Sequence, residues 1–543
     1  MNRNDPPEFD VIVVGSGPAG VSAAFPLVDA GLRVLMVDGG ILPDVELPRG
    51  EYLATRASDD RQWEWMVGRN FGALRQPGAI SPKLRAPTLD YVFRGFVDAN
   101  RIAADNFVPV GSLAVGGLSN AWGCGVAAFS ARDLAAFPFS EAELMPSYET
   151  VARRIGVSGR ADDDLSGFYG MDAWAQPPIA MDVLHETLLG NYHRRRAALN
   201  ARGFRMGRAR VAVIGRDQTD GRRACTRSGF CLWGCAEGSL YTARYDVRAL
   251  AARENFLHLP GLVVDRLERV GEFWNVCGQR LATGSGEMRR ARIVVLAAGT
   301  LATTRIAMRS LPDHRQAALL GSPSAAFALW LPKFAGAARV EGPGFAQLGF
   351  ALDGDDAGAI CGFVFSTHAL PVAEFVRHAP LARRNAISLF ATLLSSMVVA
   401  NCFFPGALSK NSVKLEADGR LRVIGGSEAG FEEGASVVRR RLRACFLRSN
   451  ALMLPGSFSL GEIGADAHYA GSLPMRRNPN PGETHASGEI AGLPGIFVAD
   501  AAAFPSLPSK SHTFVMMACA DRLGRGVVRR LKRDGRTMAG AAG

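Results

Sequence analysis

A Gly-Ser-Gly-Pro-Ala-Gly run at residues 15–20 directly follows an uninterrupted apolar stretch at 11–14. Such a stretch reads as a buried parallel strand, and the glycines then open a helix. Gly15 permits the tight turn, Gly17 lets a pyrophosphate approach the backbone, and Gly20 lets the helix pack on the strand. The helix start offers free N–H groups and a positive dipole end to the phosphates. The next strand, predicted at 33–37, ends at Asp38, about 20 residues beyond the glycines, where an acid can hold ribose hydroxyls. Strand, glycines, helix and spaced acid together predict a dinucleotide site.

Two later stretches bear on which dinucleotide. "ARIVVLAAGTLATTRIAMRS" predicts a strand at 293–297, a turn at Gly299 and a helix. "GIFVADAAAFP" predicts a strand at 496–499 that ends at Asp500, an acid placed to meet a ribityl hydroxyl. The N-terminal position of the first motif and the returning strand favour FAD over NAD. A different chemistry is suggested by Cys225, Cys231 and Cys235 in "CTRSGFCLWGCAEGS". A metal or iron–sulfur site needs four ligands or a suitably spaced His, and no fourth Cys follows the pattern. Compact turn packing leads; a metal or a redox-active disulfide are the alternatives.

The elements that must position these residues belong to a chain of 543 residues, long enough for several domains or one domain with insertions. Hydrophobic residues make up 48% and charged residues 21%, which excludes global disorder, a coiled coil and a collagen-like chain. The net charge of +11 rests on Arg, since Lys occurs only at 83, 333, 410, 414, 510 and 532. It serves solubility or attraction to an anionic ligand or surface. No nucleic-acid motif or aromatic-basic stripe is present. Nine Cys without a dense disulfide framework indicate a reducing, cytoplasmic setting. No charged-then-apolar leader precedes the first strand. The uncharged stretch 386–404 has about the length of a spanning helix, but Ser388, Thr392, Ser395, Ser396 and Asn401 dilute it. It is expected to be a buried helix followed by a buried strand, with contact to a membrane or a lipid-like substrate as the alternative. "SVKLEADGRLRV" then predicts a hairpin turning at Asp418-Gly419.

With two further blocks added, the chain resembles the glucose–methanol–choline (GMC) oxidoreductase family over most of its length. "VGGLSNAWGCGVAAF" is similar to the family's Gly-Gly segment lining the flavin. "DAHYAGSLPMRRNPN" through "FPSLPSKSHTFVMMACADRLG" is similar to its His-containing strand and final helix. The resemblance implies an α/β (α+β overall) fold. A discontinuous Rossmann-like FAD-binding domain would cover 1–155, 222–310 and 456–543. An inserted substrate-binding domain, an antiparallel sheet with helices, would cover 156–221 and 311–455 and include the hairpin. The segment 41–105 is an excursion whose Trp63, Trp65, Phe71 and Tyr91 are packing anchors or parts of a lid.

The same resemblance implies that FAD is held by Gly15, Gly17, Ala19, Gly20, Asp38, Gly116, Gly117, Ser119, Asn120, Val263, Ala298, Gly299, Asp500, Ala501 and Thr513, with no metal. It implies oxidation of an alcohol, with hydride passing to flavin N5 and the hydroxyl proton to His468, assisted by His512. A neutral imidazole suits that task. His185, His193, His258, His314, His368, His378 and His485 are expected to be structural. A helix predicted at 513–531 would start beside the flavin ring and place Arg529, Arg530, Lys532 and Arg533 at its end, where cations are favoured. Ala121 stands where some relatives carry a His bonded to the flavin, so FAD is expected to be non-covalent. Pro474 replaces the usual Arg before Met475, and Asp38 the commoner Glu. A sugar, glycoside or polyol is the expected substrate by family analogy, with O2 or a quinone as acceptor. The rivals are a long-chain alcohol or sterol, a lyase reaction on the same fold, and an anion- or membrane-binding protein that keeps FAD structurally.

Overall fold

Phe9–Val14 lies inside a seven-stranded sheet, paired in parallel with Val34–Asp38 on one side and Gly286–Leu296 on the other. Phe256–Pro260 continues the parallel run beyond Val34–Asp38, and Ile496–Val498 pairs in parallel with Gly286–Leu296. Leu262–Val270 and Phe273–Arg280 complete the sheet as antiparallel strands. The computed structural model describes residues 8–47, 49–75, 81–311, 313–354, 358–368, 370–376 and 381–541. His378 lies outside them.

Strands buried on both faces need helical cover, and Pro18–Asp29 and Thr513–Ala541 supply it together. Their contact is close: a Cβ at Gly524 would lie 2.5 Å from the Ala23 carbonyl oxygen. This is a Rossmann-type α/β layer. The final helix runs ten residues past its expected end, through Gly535 and Gly540, because no proline follows Leu531 to break it.

A second sheet is antiparallel, in the order Leu452–Met453, Ser324–Trp330, Met397–Phe403, Ile360–Ser366, Leu348–Leu352 and Phe204–Arg208, with Ser459–Leu460 also on Ser324–Trp330. Its apolar face packs with the helices Val183–Arg194 and Phe431–Arg448.

Two expectations are corrected here. The hairpin Asn411–Leu415/Leu421–Ile424 does not join this second sheet. It forms a third, five-stranded sheet with Gln316–Gly321, Tyr469–Ala470 and Ile102–Asp105, tying chain segments from both expected domains. The stretch 386–404 does contain a buried strand, Met397–Phe403, but its helix Arg383–Leu393 is mostly exposed and buries only Ala386. Serines and Thr392 on a short helix leave too narrow an apolar face to bury. Among the described residues no helix is long and apolar enough to cross a membrane.

In the excursion, Trp65 and Tyr91 are anchors: they join a cluster in which Tyr52 stacks on Trp233 at 5.4 Å. Trp63 and Phe71 stack on each other at 5.6 Å and stay at the surface.

Candidate active site

The first loop shows why it needs glycine. At Gly15 the backbone has φ +109°, and a Cβ would sit 2.2 Å from the Ala297 carbonyl oxygen. At Gly20 a Cβ would sit 1.9 Å from the Gly15 carbonyl oxygen, so this glycine closes the helix onto the loop. Gly17 differs. Its Cβ would meet only Gly117 Cα, at 3.9 Å, so the room beside it is open to a ligand. The loop opens into a cavity of about 470 Å³.

Asp38 also lines that cavity. Its Oδ2 accepts from Ser16 Oγ, which in turn accepts from Gly116 N at 3.1 Å. Its Oδ1 is buried without a hydrogen-bond partner among the described residues. His258 Nε2, carried on the neighbouring strand, lies 3.2 Å from that oxygen without bonding to it. A buried carboxylate oxygen without a donor among the described residues fits a ligand hydroxyl. The cradle beside Gly17, the helix N-terminus and this oxygen fit the pyrophosphate and ribose of a dinucleotide.

Gly299 has φ +86° and open space where a Cβ would point, so its constraint is conformation, not room. Asp500 caps the turn behind it: Oδ2 accepts from Gly299 N at 3.0 Å and from Thr303 Oγ1 at 2.5 Å, and Oδ1 from Ala502 N at 3.0 Å. Burial nevertheless pushes its carboxyl up to about 6.

His468 and His512 line the same cavity, ring centroids 5.1 Å apart and nearly perpendicular. Phe403 packs on His468 at 4.7 Å. Burial lowers His468 to about 4; burial and the neighbouring His468 lower His512 to about 3. Both rings are therefore neutral near neutral pH. The Nδ1 atom of His512 is buried without a partner among the described residues. A pair of neutral imidazoles facing a cavity can accept a proton from a hydroxyl group.

Of the expected cofactor positions, Gly15, Gly17, Ala19, Asp38, Gly117, Ser119, Val263, Ala298, Gly299, Asp500, Ala501 and Thr513 line this one cavity, together with both imidazoles. Gly20, Gly116 and Asn120 do not. Gly20 packs the helix, and Gly116 turns against Arg244, whose backbone N would be 2.9 Å from a Cβ there. The Asn120 amide braces its own loop, donating to Val115 O at 2.9 Å and Gly117 O at 2.8 Å, and faces a neighbouring pocket. Ala121 lines the cavity and offers no nucleophile to it.

A family described as "FAD binding domain" matches residues 8–59. The cofactor is FAD. Two curated relatives align with a little over half of this chain. A 6'''-hydroxyparomomycin C oxidase from Streptomyces lividus is 29% identical over 320 residues, 56% of this chain and 50% of its own length. A paromamine 6'-oxidase from Streptomyces fradiae is 28% identical over 326 residues, 57% and 50% respectively. The chain thus spans about half the length of the curated relatives it matches. The crystal structure of pyridoxine 4-oxidase from Mesorbium loti shares the fold, with a TM-score of 0.56 over 96% of this chain and 99% of that one, at 16% identity.

Three residues of this flavoprotein's cavity and one beside it carry no clear signal in the sequence. Ser16 occupies a variable position of the glycine motif, yet it joins Asp38 to the Gly116 turn. His258 reaches Asp38 only because its strand pairs beside it. Lys83 Nζ donates to Trp122 O at 2.7 Å, and burial lowers its amine. Its one available signal was being a rare Lys in an Arg-rich chain. Asp466 Oδ1 accepts from His468 N at 2.7 Å, and burial raises its carboxyl to about 7. Cys225, Cys231 and Cys235 are free thiols packed against the main core. Among the described residues no group of His, Cys, Asp or Glu is placed to hold a metal ion.

Proposed function

We propose that the protein is a GMC-type oxidoreductase that uses FAD to oxidise an alcohol on a sugar or glycoside, with His468 and His512 handling the proton. The observation that carries this reading is the shared cavity: the dinucleotide loop and two neutral imidazoles line one and the same space. In this reading 1–155, 222–310 and 456–543 hold the cofactor, and 156–221 with 311–455 shape the substrate side.

Bound in this cavity, FAD supplies the two-electron acceptor for hydride from the carbinol carbon. The chain's own part is positioning and proton transfer. Gly17 and the start of Pro18–Asp29 hold phosphate, and Asp38 Oδ1 takes a ribose hydroxyl. His468 and His512 flank the alcohol, and as neutral imidazoles lining the cavity they can accept from its O–H. One proton suffices for the pair, because charge on His468 opposes charge on His512. The relatives' names support the glycoside class and O2 as the electron acceptor. Phe363, Phe365 and Phe403 in the cavity wall favour a second reading, an apolar alcohol.

The test is anaerobic reduction of the FAD-loaded protein by a panel of glycosides, amino sugars, fatty alcohols and sterols, followed by re-oxidation with air or a quinone. Flavin bleaching by glycosides and recovery in air is the expected result. Bleaching by no alcohol would sink the proposal; bleaching by sterols alone would replace its substrate class.

A further inference from the structure

A second pocket, of about 410 Å³, adjoins the main cavity, and Ser324 and Asp466 belong to the walls of both. Its other charged lining residues are Glu428, Glu432, Glu433 and Glu462, and no Lys or Arg lines it. Lys410 neutralises Glu428 at 2.6 Å from outside the pocket. Glu432, Glu433 and Glu462 form no ion pair among the described residues. They stand exposed at the rim, whereas Ser324 and Asn411 are 8% and 4% exposed at the floor.

The floor adds an independent sign. Ser324 lines both cavities, and its hydroxyl makes no hydrogen bond among the described residues. On a residue only 8% exposed overall, a side-chain hydroxyl that meets no protein partner is open to a ligand. Its neighbours on the strand Ser324–Trp330 are paired by backbone bonds to Met397–Phe403, so the lack is confined to the side chain facing the cavities. Asp466, on the same wall, is joined to His468 through its hydrogen bond to His468 N.

We propose that this pocket is a substrate subsite for a protonated amine: the acidic rim attracts an ammonium-bearing ring of a glycoside whose alcohol lies at His468 and His512, and Ser324 Oγ bonds to the linking portion. This rests on the glycoside reading above and names its class, an amino-substituted glycoside. A neutral sugar would gain little from an acidic rim, whereas an ammonium gains from several carboxylates at once.

The experiment uses calorimetry on FAD-loaded His468→Ala protein, so that binding is read without turnover. The probes are paromamine and its fully N-acetylated, uncharged derivative. Paromamine should bind at least about tenfold more tightly, and the ratio should fall as salt rises from about 0.05 to about 0.5 M. In E432Q/E433Q/E462Q the ratio should drop towards one. Equal affinities, or a ratio that survives the triple replacement, would overturn the subsite, since acetyl bulk alone would then explain any preference. Flavin content and thermal melting check that the triple variant folds; if it does not, the salt series on the unmodified rim decides. Failure of the wild-type flavin to bleach with any glycoside would count against alcohol oxidation, while the calorimetric ratio still judges the subsite separately.

Discussion

The imidazoles of His468 and His512 meet edge to face with centroids 5.1 Å apart, one from the loop before Tyr469–Ala470 and the other from the turn before Thr513–Ala541. Neither ring has a carboxylate partner among the described residues, so burial alone sets His468, and burial with His468's proximity sets His512. Replacing His468 by Ala should slow anaerobic flavin bleaching by about 10²–10⁴-fold while FAD stays bound. His512→Ala should slow it as well. Stopped-flow absorbance of the flavin band measures both, and an unchanged rate in either would remove that residue from the proton-handling role.

The same pair has a signature in pH. Both folded-state values, about 4 and about 3, lie below the ordinary imidazole value, so the unfolded chain binds more protons between them and about pH 6.5. Stability therefore rises with pH through that window and is lost on acidification. Urea midpoints should fall from about pH 7 to about pH 5, and the H468A/H512A variant should show a shallower fall. Equal slopes would mean that the two rings are charged in the folded protein.

Asp38 predicts the strength of FAD retention. Its Oδ1 has no hydrogen-bond partner among the described residues, and a hydroxyl bonded to a carboxylate contributes about 1.5–3 kcal/mol. Asp38→Ala should weaken FAD binding by roughly ten- to a hundredfold on that estimate. Flavin fluorescence on dilution reads the release. Retention equal to the parent would move the ribose elsewhere. Gly15→Ala should be more severe, because its Cβ would meet the Ala297 carbonyl oxygen at 2.2 Å.

What could be read in the sequence was local. The glycine loop, Asp38 and the strand leading to Asp500 advertise themselves by spacing, since the backbone there is built by consecutive residues. The imidazole pair was legible only through family resemblance, because 468 and 512 meet by tertiary folding. Residues that converge from separate segments left no such pattern: His258 lies beside Asp38 through sheet pairing, and Ser324 and Asp466 share a cavity lining. The Ile102–Asp105 strand, paired with Leu421–Ile424, shows the same limit for topology. Apolar composition also misled at Arg383–Leu393, where the strand that follows takes the buried place and leaves Ile387 and Leu389 exposed.

Ala121 bears on how the cofactor is held. It lines the cavity and its methyl group has no lone pair with which to bond a flavin carbon. Acid precipitation should leave yellow supernatant and a colourless pellet. Flavin retained in the washed pellet would require another residue of the cavity as its covalent attachment point.

A stability prediction comes from outside the cavity. Asp182, 2% exposed, accepts from Leu184 N and His185 N at 3.0 Å and from His185 Nδ1 at 2.7 Å on Oδ1, and from Gln347 Nε2 at 2.7 Å on Oδ2. Burial alone would raise its carboxyl, but the contact with His185 and these hydrogen bonds overcome that and hold it well below the ordinary range. The depressed value means that its stabilising contribution is present above the unfolded carboxyl value and is lost only in strong acid. It caps Val183–Arg194 and ties that helix to the loop before Leu348–Leu352. Asp182→Ala removes the cap and leaves the His185 and Gln347 donors without their acceptor, which should cost about 3–5 kcal/mol. Because Asp182 does not line the FAD cavity, the flavin absorption of the folded fraction should keep its shape. Urea melts followed by far-UV circular dichroism, with flavin absorbance recorded in parallel, separate the two effects. A melt unchanged from the parent would show that the Asp182 network contributes nothing to stability.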